Sequence, residues 1–104
     1  MVYNEMYIDF SLDYNGQCED ISTFEVDGQD FSEDIYFEDV DKFVKELEKL
    51  DKFYVSEHRT EVSVYWSEDG VMNVKFRYFN EPEDGEFDDH ELNGLEPIEF
   101  VWGE

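Results

Sequence analysis

The 104-residue sequence predicts an α+β fold. The expectation is one small domain, residues 1–104: a mainly antiparallel sheet of about five or six strands, with one α-helix, residues 39–51, packed on one of its faces. Three observations predict it. Several segments alternate apolar and polar residues with the two-residue period of a half-buried strand. A single segment carries the apolar stripe of a helix. Gly-containing turn signals separate the alternating segments at hairpin distances.

The first strand is Met6 to Tyr14. Met6, Ile8, Phe10, Leu12 and Tyr14 point one way, and Tyr7, Asp9, Ser11 and Asp13 the other. Asn15-Gly16 then reads as a two-residue hairpin turn with positive φ at both positions. A second strand runs from Cys18 to Val26 and ends at Asp27-Gly28, a turn of the same chemistry. A third, weaker strand covers Gln29–Phe31, Ile35–Phe37, or both with a break at Ser32-Glu33-Asp34. Val40, Phe43, Val44, Leu47 and Leu50 share one helix face, with Asp39 as the expected N-cap and Lys49 and Lys52 in the last turn. Thr60–Trp66 and Met72–Tyr78 are the next two strands, joined at Ser67-Glu68-Asp69-Gly70. A long acidic loop is expected over residues 81–91, and a last strand over Pro97–Trp102.

The charge is far from ordinary. Thirty Asp and Glu face seven Lys and Arg, a net of −23, against about 2–8 for a comfortable small domain. It is also unevenly placed. Residues 1–41 carry −13, residues 42–59 carry +1, and residues 60–104 carry −11. The helix is therefore electrically ordinary, and the excess lies on strands and loops on either side of it. With the helix on one face of the sheet, the acids are expected to crowd onto the other. Same-face residues on a strand lie about 6.8 Å apart, so Asp9 and Asp13 should stand about 14 Å apart, with parallel rows about 4.8 Å away on neighbouring strands.

Composition excludes several classes. Direct nucleic-acid binding needs Lys and Arg against phosphate, and an anionic membrane surface would repel the chain. No apolar run approaches the roughly 20 residues of a membrane span. Met1–Glu5 lacks the features of a signal peptide, so a cytoplasmic protein is expected. Disorder is disfavoured, because acidic disordered chains are poor in aromatics and this one has ten Phe, seven Tyr and two Trp. The absence of Ala sets it apart from a salt-adapted composition.

No catalytic residues are assigned, and an enzyme is not expected. P-loop, GxGxxG, HExxH and GxSxG patterns are absent. Cys18 stands alone, so no internal disulfide or cysteine zinc site can form. Glu19 and Asp20 beside it disfavour a thiolate. Asp88-Asp89-His90-Glu91 lacks EF-hand spacing, and no metal or cofactor is expected.

The expected function is that of an acidic, non-enzymatic inhibitor. It would present carboxylates as a nucleic acid presents phosphates and occupy the basic groove of a DNA- or RNA-handling protein. The candidate partner-binding residues are Glu83, Asp84, Glu86, Asp88 and Asp89 of the acidic loop. To these are added Asp9, Asp13, Glu19, Asp20 and Asp30, with Tyr7 and Tyr65 as aromatic anchors; the two tyrosines also read as a cross-strand pair on a half-wet sheet. Phe87 is expected to tuck under its own loop. Small, very acidic, aromatic-rich chains of this kind resemble in composition the phage counter-defence proteins, anti-restriction and anti-CRISPR inhibitors among them. The resemblance carries no motif and transfers no residue roles. The alternative is a bacterial immunity protein that neutralises a cognate nuclease toxin, since the order of strands, one helix, then strands looks like several small toxin-immunity folds. Like charge along the sheet edges favours a monomer in the free state, although Tyr3, Phe53, Tyr54 and Phe79 are apolar enough to join an interface.

Overall fold

The computed structural model describes residues 5–50, 53, 58–67, 69–79, 87–96 and 98. Its elements are β1 (Met6–Leu12), β2 (Cys18–Val26), β3 (Gln29–Asp30), α1 (Phe37–Leu47), β4 (Thr60–Trp66), β5 (Met72–Phe79) and β6 (Phe87–Leu95). All six strands join one antiparallel sheet in the order β3-β2-β1-β4-β5-β6. The α+β class and the single helix agree with the sequence. No helix among the described residues is long and apolar enough to cross a membrane.

The core follows from strand alternation. On the inner face, Met6, Trp66 and Met72 form one row, and Ile8, Val64 and Val74 the next. Phe10, Val62 and Phe76 form a third, and Leu12, Thr60 and Tyr78 a fourth. All are buried. Onto these rows α1 lays Val40, Phe43, Val44 and Leu47, each 1% exposed or less. Phe43 meets Trp66 edge-on at 5.6 Å between ring centroids. Phe53, beyond the helix, packs edge-on against Phe76 at 5.2 Å. It is therefore core rather than interface.

Several boundaries differ from expectation. The helix begins at Phe37, two residues early. Its N-cap is Tyr36, in extended conformation and with no side-chain cap bond. Asp39 lies buried within the first turn instead, where a carboxylate still suits the dipole. Asp41, one residue pair further on, accepts the Cys18 backbone N–H at 2.7 Å and so ties the helix to the start of β2. Lys49 lies past the helix end and pairs with Glu46 at 3.0 Å; Lys52 is outside the described residues. The open choice for the third strand resolves to Gln29–Asp30, and Ile35–Phe37 leads into the helix.

The turns divide into two kinds. Asp27 and Gly28 both have positive φ, 50° and 85°, the two-residue turn expected. The β1–β2 connection is longer. Gly16 N–H bonds the Asp13 carbonyl and Asp13 N–H bonds the Gln17 carbonyl, with positive φ at Gly16 but not at Asn15. That is a three-residue loop closed by a left-handed glycine. It leaves Tyr14 at 70% exposure instead of on the inner face. Ser67, Gly70 and Val71 repeat the arrangement between β4 and β5.

The largest difference is β6. Residues 87–91, expected as loop, are the first half of a nine-residue strand paired to β5. Residues 81–86 lie outside the described residues, as does nearly all of the strand expected over 97–102. Ile98, its one described position, is not in a strand but packs on the core.

Candidate partner-binding surface

The outer face of the sheet, away from α1, is built by the other half of each alternation. Strand register arranges it in three rows. Asp30, Glu25, Tyr7, Tyr65 and Asn73 form the first. Thr23, Asp9, Ser63, Lys75 and Glu91 form the second, and Asp20, Ser11, Glu61, Arg77 and Asp89 the third. At about 4.8 Å per strand, the face is about 24 Å wide from β3 to β6.

The charge on this face is polarised. On β3, β2 and β1 the side chains of Asp30, Glu25, Asp20 and Asp9 have no Lys or Arg within ion-pair distance among the described residues. Glu25 and Asp30 are direct cross-strand partners, an arrangement in which like charges repel. On β4, β5 and β6 the acids meet cations. Arg77 donates from Nε to Asp89 Oδ1 at 2.7 Å and from Nη2 to Oδ2 at 3.4 Å. Lys75 Nζ lies 3.7 Å from Glu91. Arg59 Nη2 donates to Glu61 at 3.1 Å, and its Nε lies 3.9 Å from Glu19. The Arg77 hydrogen bonds hold the Asp89 carboxyl below the usual carboxylate range, and Asp89 in turn raises the Arg77 guanidinium.

The expected site residues distribute unequally. Tyr7 and Tyr65 face each other across the β1–β4 seam, half-buried, at the centre of the outer face. Asp9 sits one same-face step away and accepts a hydrogen bond from Ser63 Oγ at 3.0 Å. Glu19 and Asp20 are exposed on β2. Asp30 is at the β3 edge, where hydrogen bonds from the backbone and side chain of Ser32 lower its carboxyl below the ordinary value. Asp13 does not join the face. It lies beyond β1, and its Oδ1 accepts the N–H groups of Asn15 and Gln17 at 2.9 and 3.0 Å. Asp88 and Asp89 point to opposite sides of β6, against Tyr78 and Arg77 respectively, so the two do not form one acidic patch. Glu83, Asp84 and Glu86 lie outside the described residues.

Phe87 is not tucked under a loop. It is 42% exposed on β6, 5.9 Å from the Phe79 ring, with the Arg77 guanidinium 3.9 Å over its own ring. His90 stacks on Phe76 at 5.3 Å. Glu25, Glu61, Glu91, Lys75 and Arg77 join the surface without having been singled out from sequence. Alternation with Phe24 and Val26 already placed Glu25 outward, whereas Glu91 and the Arg77–Asp89 pair become visible only once β6 is a strand.

Between β1 and β6 the outer face is concave. The depression has a volume of about 390 Å³, with Asp9, Glu61 and Ser63 on one side and Lys75, Arg77, Asp89 and Glu91 on the other. Two bulges on β2 flank it. Ser22 and Glu19 have no partner opposite, at the register shifts beside Asp9 and Ser11. Such bulges bend a strand and increase its twist.

The surroundings of Cys18 disfavour its thiolate. Burial, more than any other cause, pushes its thiol up to about 12; a backbone hydrogen bond at Asp20 opposes this, and the charges of Asp41, Asp20 and Glu19 add to it. No three His, Cys, Asp or Glu side chains among the described residues are grouped to hold a metal ion. Comparison with protein-family models, curated proteins and solved structures finds no significant match.

Proposed function

We propose that this chain is a non-enzymatic inhibitor that mimics a nucleic acid and occupies the basic groove of a DNA- or RNA-handling protein, as phage counter-defence inhibitors do. The observation that carries the reading is the β3-β2-β1 half of the outer face. There Asp30, Glu25, Asp20 and Asp9 stand without cations among the described residues, although Glu25 and Asp30 oppose each other directly. A fold gains nothing from that opposition, whereas a basic partner relieves it on binding. The Tyr7–Tyr65 pair at the centre supplies aromatic surface of the kind that anchors interfaces.

Competition tests it. The immobilised protein is exposed to host lysate and the bound proteins are challenged with duplex DNA, RNA or salt. Nucleic-acid-handling proteins should be retained, released by nucleic acid, and lost steeply as salt rises. The triple change Asp20→Lys, Glu25→Lys, Asp30→Lys should abolish retention while the circular dichroism spectrum is kept. Retention that nucleic acid does not disturb would overturn mimicry.

A second reading, an immunity protein for one cognate nuclease, is favoured by the fixed cations of the other half. Lys75 and Arg77 held in place by Glu91 and Asp89 give the face a specific charge pattern that a polyanion lacks. It predicts one retained nuclease, bound beside its active site and indifferent to competing nucleic acid.

A further inference from the structure

We propose that the depression on the outer face receives a single arginine side chain from the basic partner, with Asp9 as its carboxylate seat. The inference rests on the basic-partner reading and adds where, and by which group, that partner is held.

The depression is built for a cation rather than an anion. Four of its lining side chains are carboxylates and two are cations, and both cations are already drawn toward β6, Arg77 by Asp89 and Lys75 by Glu91. Glu61 is engaged by Arg59. Asp9 differs from the other three carboxylates. It is half-buried at the middle of a central strand, where Asp is an unfavourable residue. Its one hydrogen-bond partner among the described residues is neutral: Ser63 Oγ–H on Oδ1. An ionised carboxylate offers about four acceptor positions, so Oδ2 and part of Oδ1 remain for a donor arriving from the open side. Opposite Asp9 the β2 register shifts by one residue, Ser22, and such an extra residue bends β2 there.

Arginine fits better than lysine for two reasons. Its planar fork can bond a carboxylate twice, whereas an ammonium is a point charge. Tyr7 and Tyr65 also stand one same-face step from Asp9 and Ser63, about 6.8 Å along the strands, where a guanidinium seated on Asp9 can stack on an aromatic ring. At about 390 Å³ the depression falls at the small end of ligand sites, roughly 300–1,000 Å³, and admits a side chain rather than a helix or strand.

The test uses the full chain and a defined probe. Uniformly ¹⁵N-labelled protein is titrated with N-acetyl-arginine-N-methylamide, and separately with the lysine analogue, at low salt. The arginine probe should move the amide resonances of Asp9, Ser63 and Lys75 in a saturable way, and bind more tightly than the lysine probe. Asp9→Asn retains an acceptor for Ser63 but loses the charge, and should weaken binding about tenfold, whereas Glu48→Gln, at the exposed C-cap of α1 and away from the outer face, should leave it unchanged. Shifts spread evenly along β2 and β3, or equal binding by the Asp9→Asn variant, would overturn the seat while leaving the basic-partner reading intact. A localised seat in a protein that retains no nucleic-acid-handling protein would do the reverse. Should Asp9→Asn fold poorly, the location of the shifts on the wild-type protein decides.

Discussion

Sodium chloride should stabilise this protein, and the structure sets the scale. The molecule measures 38 × 28 × 21 Å. The Debye length is about 30 Å at 0.01 M salt and about 8 Å at 0.15 M. At the lower concentration surplus carboxylates act on one another across the whole molecule; at the higher, only those on adjoining strands do. Two unit charges about 10 Å apart in water repel by about 0.4 kcal/mol before screening. With a net charge of −23, shedding only about 0.1 kcal/mol per surplus charge adds roughly 2 kcal/mol of stability between the two salt levels. The opposing effect is loss of the ion pairs. All five among the described residues have both side chains more than a third exposed, and pairs of that kind contribute little. Repulsion therefore wins. For a domain of this size the gain corresponds to roughly 8–16 °C in Tm. Thermal unfolding followed by far-ultraviolet circular dichroism in 0.01 and 0.15 M NaCl measures it; chloride is used because sulfate stabilises proteins by exclusion from their surface. A Tm that holds or falls would refute the view that the carboxylates are uncompensated, and with it the energetic basis of the proposed binding face.

Three further outcomes follow from the core and the site. Phe43→Ala removes a fully buried ring from the Trp66 contact and should cost about 3–5 kcal/mol in urea unfolding; a loss under about 1 kcal/mol would mean that α1 is not seated as described. Cys18, its thiol held up at about 12, should resist Ellman's reagent at pH 8 until denaturant is added, and labelling of the native protein within minutes would contradict its burial. Because Asp89 is depressed in the folded state, the stability it supplies through Arg77 is present above the ordinary carboxylate range and lost as pH falls through its lowered value. Asp89→Asn should therefore lower Tm at pH 7 and converge with wild type toward pH 2; a gap that persists at pH 2 would show that the two residues matter for packing alone.

How much of this was legible in the sequence depended on whether local pattern and tertiary structure agreed. In β4 and β5, and in β1 apart from the buried Ser11, alternation alone determined which side chains are buried, because each pairs with strands whose apolar faces match. The helix stripe placed Val40, Phe43, Val44 and Leu47 correctly, but the start of α1 did not follow the capping rule. Asp39 is a good N-cap by type, and yet the chain enters the helix at Tyr36, while Asp41 ties the helix to Cys18. β6 was illegible for a related reason. Phe-Asp-Asp-His-Glu-Leu-Asn-Gly-Leu has poor strand propensity. It is held by cross-strand partners, namely Arg77 on Asp89, Lys75 on Glu91, Phe79 on Phe87 and Phe76 under His90. Of the candidate site, Tyr7, Asp9 and Tyr65 were readable as one face because they lie on strands with clean alternation. Asp13 was misplaced because its side chain closes a turn, a local bond that competes with strand continuation.

The β1–β4 seam has a consequence for how the chain reaches this structure. Among the described residues it is the only pairing that joins the first half of the sheet to the second, and it brings together segments separated by about fifty residues, whose closure carries an entropic cost. The two ends of the chain also bring a surplus of negative charge, −13 over residues 1–41 and −11 over residues 60–104. The two hairpins, β1–β2 and β4–β5, are local and can form independently, but zipping them together is an encounter between two like-charged bodies. Dissolved salt screens that repulsion, so folding of this chain should quicken as ionic strength rises.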